Sequence, residues 1–154
     1  MMKFVADVML GRLAKHLRLL GFDVLYDPAM DDNEIIRLSL EQDRTILTRD
    51  RRLSNRPLSF RHIFISSEKA AEQLQQVLDA VETGPRVCAL ARCSVCNTPI
   101  ARISREDAED LVPEHVLTAY REFTKCGRCG RIYWMGSHIQ KFLGKARPAG
   151  YEKD

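Results

Sequence analysis

Two Cys-x-x-Cys pairs constrain this chain more than any other feature. Cys93-Ser94-Val95-Cys96 and Cys126-Gly127-Arg128-Cys129 bracket residues 97–125. Each pair can turn two thiolates toward one point from a tight loop. Two such loops complete a tetrahedral all-sulfur site, the donor set that suits Zn2+. Gly127 and Gly130 allow the second turn. A redox Cys-x-x-Cys needs only one pair, usually at a helix start, so structural zinc on Cys93, Cys96, Cys126 and Cys129 is the expectation. A closed four-cysteine site has no open position for substrate. The fifth cysteine, Cys88, reads as a small hydrophobe.

The residues before these pairs follow a different pattern. Lys3–Asp7 reads as a strand ending in an acid, and Met9–Leu20 as a helix with Leu10, Leu13, Leu17 and Leu20 on one stripe. Asp23–Tyr26 reads as a second strand. Asp31-Asp32-Asn33-Glu34 opens a second helix, where acids complement the dipole and can cap free amides. A third strand, Thr45–Thr48, leads into Asp50, and His62–Ile65 is a fourth, followed by a helix over Glu68–Val81. This alternation specifies parallel β-α-β units with right-handed crossovers, an α/β fold. Gly84-Pro85 marks a boundary. Beyond it, helical runs are expected over Ser104–Leu111 and Val116–Tyr120, a strand over Arg131–Trp134, a turn at Gly136-Ser137-His138, and a loose polar tail from Lys145.

With 154 residues, 45% hydrophobic, the chain suits one globular domain with a small appendage. Its net charge of +3 permits nucleic-acid binding without arguing for it. No apolar run is long enough for a signal peptide or a membrane span, so a cytoplasmic protein is expected, with no membrane partner. In that compartment cysteines are reduced or metal-bound.

In a parallel sheet ordered 2-1-3-4, Asp7 and Asp50 end neighbouring strands beside a topological switch point, where a crevice opens. Asp32 and Asp31, at the start of the second helix, can lean in from the side. Converging carboxylates repel one another unless cations neutralise them, and oxygen ligands select Mg2+ or Mn2+. Such ions activate water and stabilise the charge on a phosphodiester. The plainer reading makes Asp31 and Asp32 caps and pairs Asp50 with Arg49 or Arg51.

Arg49, Arg51, Arg52, Arg56 and Arg61 surround Asp50, and Arg12, Lys15 and Arg18 lie on the helix leaving Asp7. Both sets would flank the same crevice and hold nucleic-acid phosphates. A solvated basic face is the alternative for either set alone. His16 and His62 read as packing or surface residues.

Three stretches, Phe4-Val5-Ala6-Asp7-Val8-Met9-Leu10-Gly11-Arg12-Leu13-Ala14, Leu17-Arg18-Leu19-Leu20-Gly21-Phe22-Asp23 and Leu47-Thr48-Arg49-Asp50-Arg51-Arg52-Leu53, resemble the Mut-7 C-terminal RNase domain family. So do Cys93-x-x-Cys96-Asn97 and Cys126-x-x-Cys129-Gly130-Arg131-Ile132-Tyr133-Trp134-x-Gly136-Ser137-His138. The resemblance implies a PIN-like parallel sheet with flanking helices over residues 1–84, a zinc ribbon over 88–142 and a flexible tail over 143–154. It implies a ribonuclease with Mg2+ or Mn2+ on Asp7, Asp50 and Asp32 or Asp31, acting on single-stranded or structured RNA. Many PIN nucleases carry a further acid just after the one matching Asp50, where this chain has Arg51 and Arg52. The alternative is therefore a non-catalytic RNA- or ribosome-associated binding module. In the ribbon, Arg128, Arg131, Tyr133, Trp134 and His138 are candidates for an RNA-contacting face, with packing the expectation for Trp134.

Overall fold

The computed structural model describes residues 2–57, 61–81 and 88–146. Strands β1 (Lys3–Ala6), β2 (Asp23–Leu25), β3 (Thr45–Thr48) and β4 (His62–Phe64) form one parallel sheet in the order β2-β1-β3-β4. A 3-10 turn (Val8–Leu10) and α1 (Gly11–Leu19) follow β1, α2 (Asp32–Gln42) follows β2, α3 (Arg51–Ser54) follows β3, and α4 (Ala70–Ala80) follows β4. The α/β class and the strand order are those expected from the sequence.

Alternation along the strands sorts the helices into two layers. Phe4, Ala6 and Leu47 point to one face, where they bury against Leu10, Leu13 and Leu17 and against Leu74 and Val77 of α4. Val5 and Ile46 point to the other, against Ile35 and Ile36 of α2 and Leu53 of α3. A sheet covered on both faces needs such apolar strands.

The second part contains an antiparallel sheet, β5 (Ala101–Ile103), β6 (Phe123–Lys125) and β7 (Ile132–Tyr133), in that order. Between β5 and β6 lie α5 (Arg105–Glu109), whose first turn is capped by the Ser104 hydroxyl accepting from the Asp107 amide, and α6 (Glu114–Ala119). The last helix, α7 (Ser137–Ala146), replaces the expected turn at Gly136-Ser137-His138 and takes in residues 143–146, which the sequence reading gave to the tail. Gly84-Pro85 and residues 147–154 lie outside the described residues. Among those described, no helix is long and apolar enough to cross a membrane.

The two parts interlock. Leu143 of α7 is fully buried in the cluster that holds Leu13, Leu17 and Leu74. The His16 ring packs on Phe142 with centroids 4.5 Å apart, and burial, then the charge of Arg12, lowers its pKa. Asn97 bonds to β2 through both ends of its amide, accepting from the Val24 amide at 3.0 Å and donating to Asp23 Oδ1 at 2.8 Å. Asp23 also pairs with the buried Arg44, whose guanidinium donates to the Phe4 carbonyl as well. Burial would raise the Asp23 carboxyl, but bonds from Arg44 and Asn97 and the charges of Arg44 and Arg92 outweigh it, holding it below the usual range.

Arg18 corrects the sequence reading. It is only 5% exposed, and its Nε donates to the Val24 carbonyl at 2.9 Å. Its Nη1 donates to the carbonyls of Ser94 and Val95 at 3.0 and 3.1 Å. These donors are committed to β2 and the first cysteine loop, so it is no part of an exposed phosphate-binding face.

Candidate acid crevice and four-cysteine metal site

β1 and β3 are paired, so the residues that follow them end side by side. Asp7 is buried at 4% exposure, and its amide donates to the Leu47 carbonyl at 2.9 Å. Its Oδ1 accepts from the Val8 amide at 2.7 Å, which caps the 3-10 turn, and its Oδ2 accepts from the Thr48 hydroxyl at 2.7 Å. That hydroxyl in turn accepts from the Asp50 amide at 2.9 Å. The fully buried Thr48 thus ties the two strand ends together. Asp50 Oδ1 caps α3 by accepting from the Arg52 amide at 2.8 Å.

Asp32, the first residue of α2, completes the group. Burial, then the negative charges of Asp7 and Asp50, push its carboxyl above the usual range, and Arg56 opposes them. The three acids therefore share one field. Asp31 is exposed and serves as the cap of α2, its Oδ1 accepting from the Glu34 amide at 2.8 Å. Of the two neighbours, Asp32 is the one whose carboxyl feels the charges of Asp7 and Asp50. Oxygen donors on carboxylates are the type that suits a hard divalent cation, and part of the Asp32 shift comes from the negative charges of Asp7 and Asp50. Among the described residues, the side chains gathered closely enough to share one metal ion are the four cysteines described below, not these three carboxylates.

The basic residues divide. Arg51 and Arg52 are exposed beside Asp50, and the Arg51 guanidinium lies 4.7 Å from the centroid of the Phe64 ring. Arg49 is partly buried and paired with Glu68 at 3.3 Å. Arg56 donates to Asn33 at 2.7 Å and is close enough to act on Asp32. Arg12 and Lys15 are exposed on α1. Arg61 pairs with Asp43 and precedes β4, at the opposite end of the sheet from the acids, so it does not belong to the crevice.

The cysteines come together as their spacing predicts. All four sulfurs lie within 4.8 Å of one another, and Cys93 Sγ and Cys129 Sγ are 3.7 Å apart. Sulfurs held about 2.3 Å from a tetrahedral Zn2+ stand roughly 3.8 Å from each other. The two loops repeat one design. Cys96 and Cys129 donate their amides to the sulfurs of Cys93 and Cys126. Asn97 and Gly130 donate to the Cys93 and Cys126 carbonyls, both at 2.9 Å, with φ of 62° and 75°. Each loop therefore closes through a left-handed residue, where glycine and asparagine are tolerated. The thiols differ: the Thr98 hydroxyl leads in holding Cys126 down to about 6, while desolvation and the other thiols push Cys96 up to about 12. Cys88 is exposed, not the buried hydrophobe expected.

Tyr133 belongs to this metal site. It is buried, and its hydroxyl lies 3.1 Å from Cys93 Sγ and accepts from the Ser94 amide. Trp134 packs one side on the cluster of Ala108, Val116 and Phe123 inside the ribbon, not against the first part of the chain, and stays partly exposed. Sequence reading passed over Thr48, whose signal is a hydroxyl two residues before Asp50. It also passed over Arg44, which no local pattern marks.

A family model described as Mut7-C RNAse domain matches residues 2–145. The chain belongs to the Mut7-C RNAse domain family. No curated protein and no solved structure matches it. The Mut7-C match takes in the three acids, the arginines beside Asp50 and all four cysteines. Membership suggests a nuclease-like function with RNA as substrate or partner, and the four cysteines are positioned to bind a metal ion.

Proposed function

We propose that this chain is a metal-dependent ribonuclease that hydrolyses RNA phosphodiester bonds. Asp7, Asp32 and Asp50 would hold Mg2+ or Mn2+, and Zn2+ on the four cysteines would be structural. The observation that carries this reading is the Asp7–Thr48–Asp50 hydrogen-bonded chain, with Asp32, raised by burial and then by the charges of both acids, beside it. When bound, such an ion supplies an activated water and offsets charge on the phosphate. The protein's own part is positioning. Thr48 fixes the Asp7 carboxylate and the start of α3 in one frame. Arg51 and Arg52 offer donors to RNA phosphates beside that frame. Reduced thiolates at the zinc site fit a cytoplasmic location.

The test is cleavage of mixed RNA and DNA substrates with and without Mn2+. Asp7→Asn and Asp50→Asn are expected to abolish Mn2+-dependent cleavage with fold and zinc content intact. Unchanged cleavage by both variants would sink the assignment.

A second reading draws on the residues after Asp50. Arg51 and Arg52 stand where a further acid would help bind metal, and both Asp7 oxygens already accept protein hydrogen bonds. On this reading the chain is a non-catalytic RNA- or ribosome-associated module. It predicts RNA that is bound, in a salt-sensitive way, and never cut.

A further inference from the structure

We propose that the ribbon carries a pocket for one unpaired base of single-stranded RNA, apart from the acid crevice. The proposal rests on RNA being the partner and not on its being cut. A cavity of about 540 Å³ opens between α6, β7 and the start of α7, lined by Tyr120, Trp134, His115, His138 and Arg131 among others. Its size falls within the ~300–1,000 Å³ of small-ligand sites. Gly136 permits its shape: a Cβ there would meet Trp134 Nε1 at 3.0 Å, with the Tyr120 hydroxyl 3.9 Å away. Two aromatic side chains therefore approach the same backbone position on the cavity wall. Arg131 and His138 are exposed, and among the described residues no Asp or Glu lines the space.

The surroundings favour a polyanion over an apolar peptide. His138 also lines a neighbouring cavity of about 300 Å³ between α1, α4 and α7, with His16, Lys141 and Lys145. Among the described residues, that cavity too has no acid in its lining. His16 lies within the field of Arg12 on α1, the helix that begins just beyond the turn capped by Asp7. Because the two cavities share His138, a basic stretch joins Lys141 and Lys145 at one to Arg131 at the other. An apolar partner would make no use of it, whereas an RNA strand would set its phosphates on the lysines and arginine and one base against the aromatics. Every base has a π-face, so stacking gives affinity without demanding sequence.

Trp134 is the only tryptophan, so its emission reports on this pocket alone. The experiment titrates the full chain, its cysteine site loaded with zinc, with an oligouridylate in buffer free of Mg2+ and Mn2+. Anisotropy of the same oligonucleotide carrying an end label gives binding independently. Saturable quenching is expected, with the same midpoint as the anisotropy, and duplex RNA of equal length should not quench. Arg131→Ala and His138→Ala should each weaken binding with zinc content unchanged. Trp134→Ala should cost roughly tenfold or more and Trp134→Phe much less. RNA binding that leaves Trp134 emission and both exposed-residue variants unaffected would overturn the pocket, and place the strand elsewhere or an apolar partner in the cavity. Absence of RNA binding, or equal quenching by duplex, would also overturn it. Quenching without Mn2+-dependent cleavage keeps the pocket and removes the nuclease; cleavage without quenching does the reverse.

Discussion

Arg18 Nη1 donates to the carbonyl of Ser94 at 3.0 Å, joining the first helix to the first cysteine loop. The guanidinium is buried, with its remaining bonds to Val24 and Val95. Burial lowers its pKa, and the nearby Cys93 and Cys96 sulfurs and Asp23 counter that effect. Arg18→Ala leaves three carbonyls short of a donor. It should destabilise the chain by about 2–4 kcal/mol in denaturant unfolding. RNA affinity at a temperature where the variant is folded should not change, whereas Arg51→Ala or Arg52→Ala should lower it.

Thr48 is expected to position the two acids it connects. Thr48→Val removes the donor to Asp7 Oδ2 and the acceptor for the Asp50 amide while keeping the volume. A loss of about 1–3 kcal/mol in stability follows from the unsatisfied buried groups. Mn2+ affinity and cleavage should fall with it, and Thr48→Ser should restore both. Calorimetric titration with Mn2+ separates the metal effect from the folding effect.

Asp32 carries repulsion. Because its folded pKa is raised, the charged form is disfavoured in the native state, and the ion-free protein gains stability as pH falls through that pKa toward the unfolded value. Asp32→Asn should therefore raise the ion-free melting temperature by about 1 °C at neutral pH, the scale of a few tenths of a kcal/mol for partly solvated charges. The same variant should bind Mn2+ more weakly. A lower melting temperature would argue that Asp32 acts mainly as a hydrogen-bonding residue of the helix start.

Asp23 behaves in the opposite sense. Its depressed pKa contributes stability that is present above the unfolded carboxylate value and is lost as pH falls through the folded one, so the effect belongs below about pH 4. Asp23→Asn should abolish that part of the acid transition. It should cost about 1–3 kcal/mol at neutral pH by leaving the buried Arg44 without its counter-charge.

Removing the metal should loosen more than the ribbon. Chelation, followed by far-UV circular dichroism and thermal unfolding, should lower the melting temperature of the whole chain, since Arg18, Asn97 and Leu143 connect the two parts. Leu143→Ala, which leaves the cysteines untouched, should cost about 2–4 kcal/mol on its own.

Much of this arrangement is legible in the sequence because it follows local periodicity. The four strands, their helices and the 2-1-3-4 order come from alternation and crossover rules, and the sulfur cluster from spacing. Arg18 misleads because residues 12, 15 and 18 are three apart. Each such step falls about 60° short of a full turn, so Arg18 is turned roughly 120° from Arg12, into the protein. β5 and β6 have three residues each, too few for alternation to be read. Gly136-Ser137-His138 looks like a turn, yet Ile139, Phe142 and Leu143 follow at helical spacing and mark α7. Arg44 and Thr48 act through long-range contacts that no window of neighbours contains.

The contacts at Val24 have a consequence for the isolated chain. β2 is the outer strand of its sheet, and such a border offers unpaired amides and carbonyls to any passing strand. Here Asn97 occupies the Val24 amide and Arg18 the Val24 carbonyl, and both side chains are anchored at the first cysteine loop. A metal ion on that loop would therefore also guard the sheet border, and chelation is expected to raise strand-to-strand aggregation, measured by light scattering.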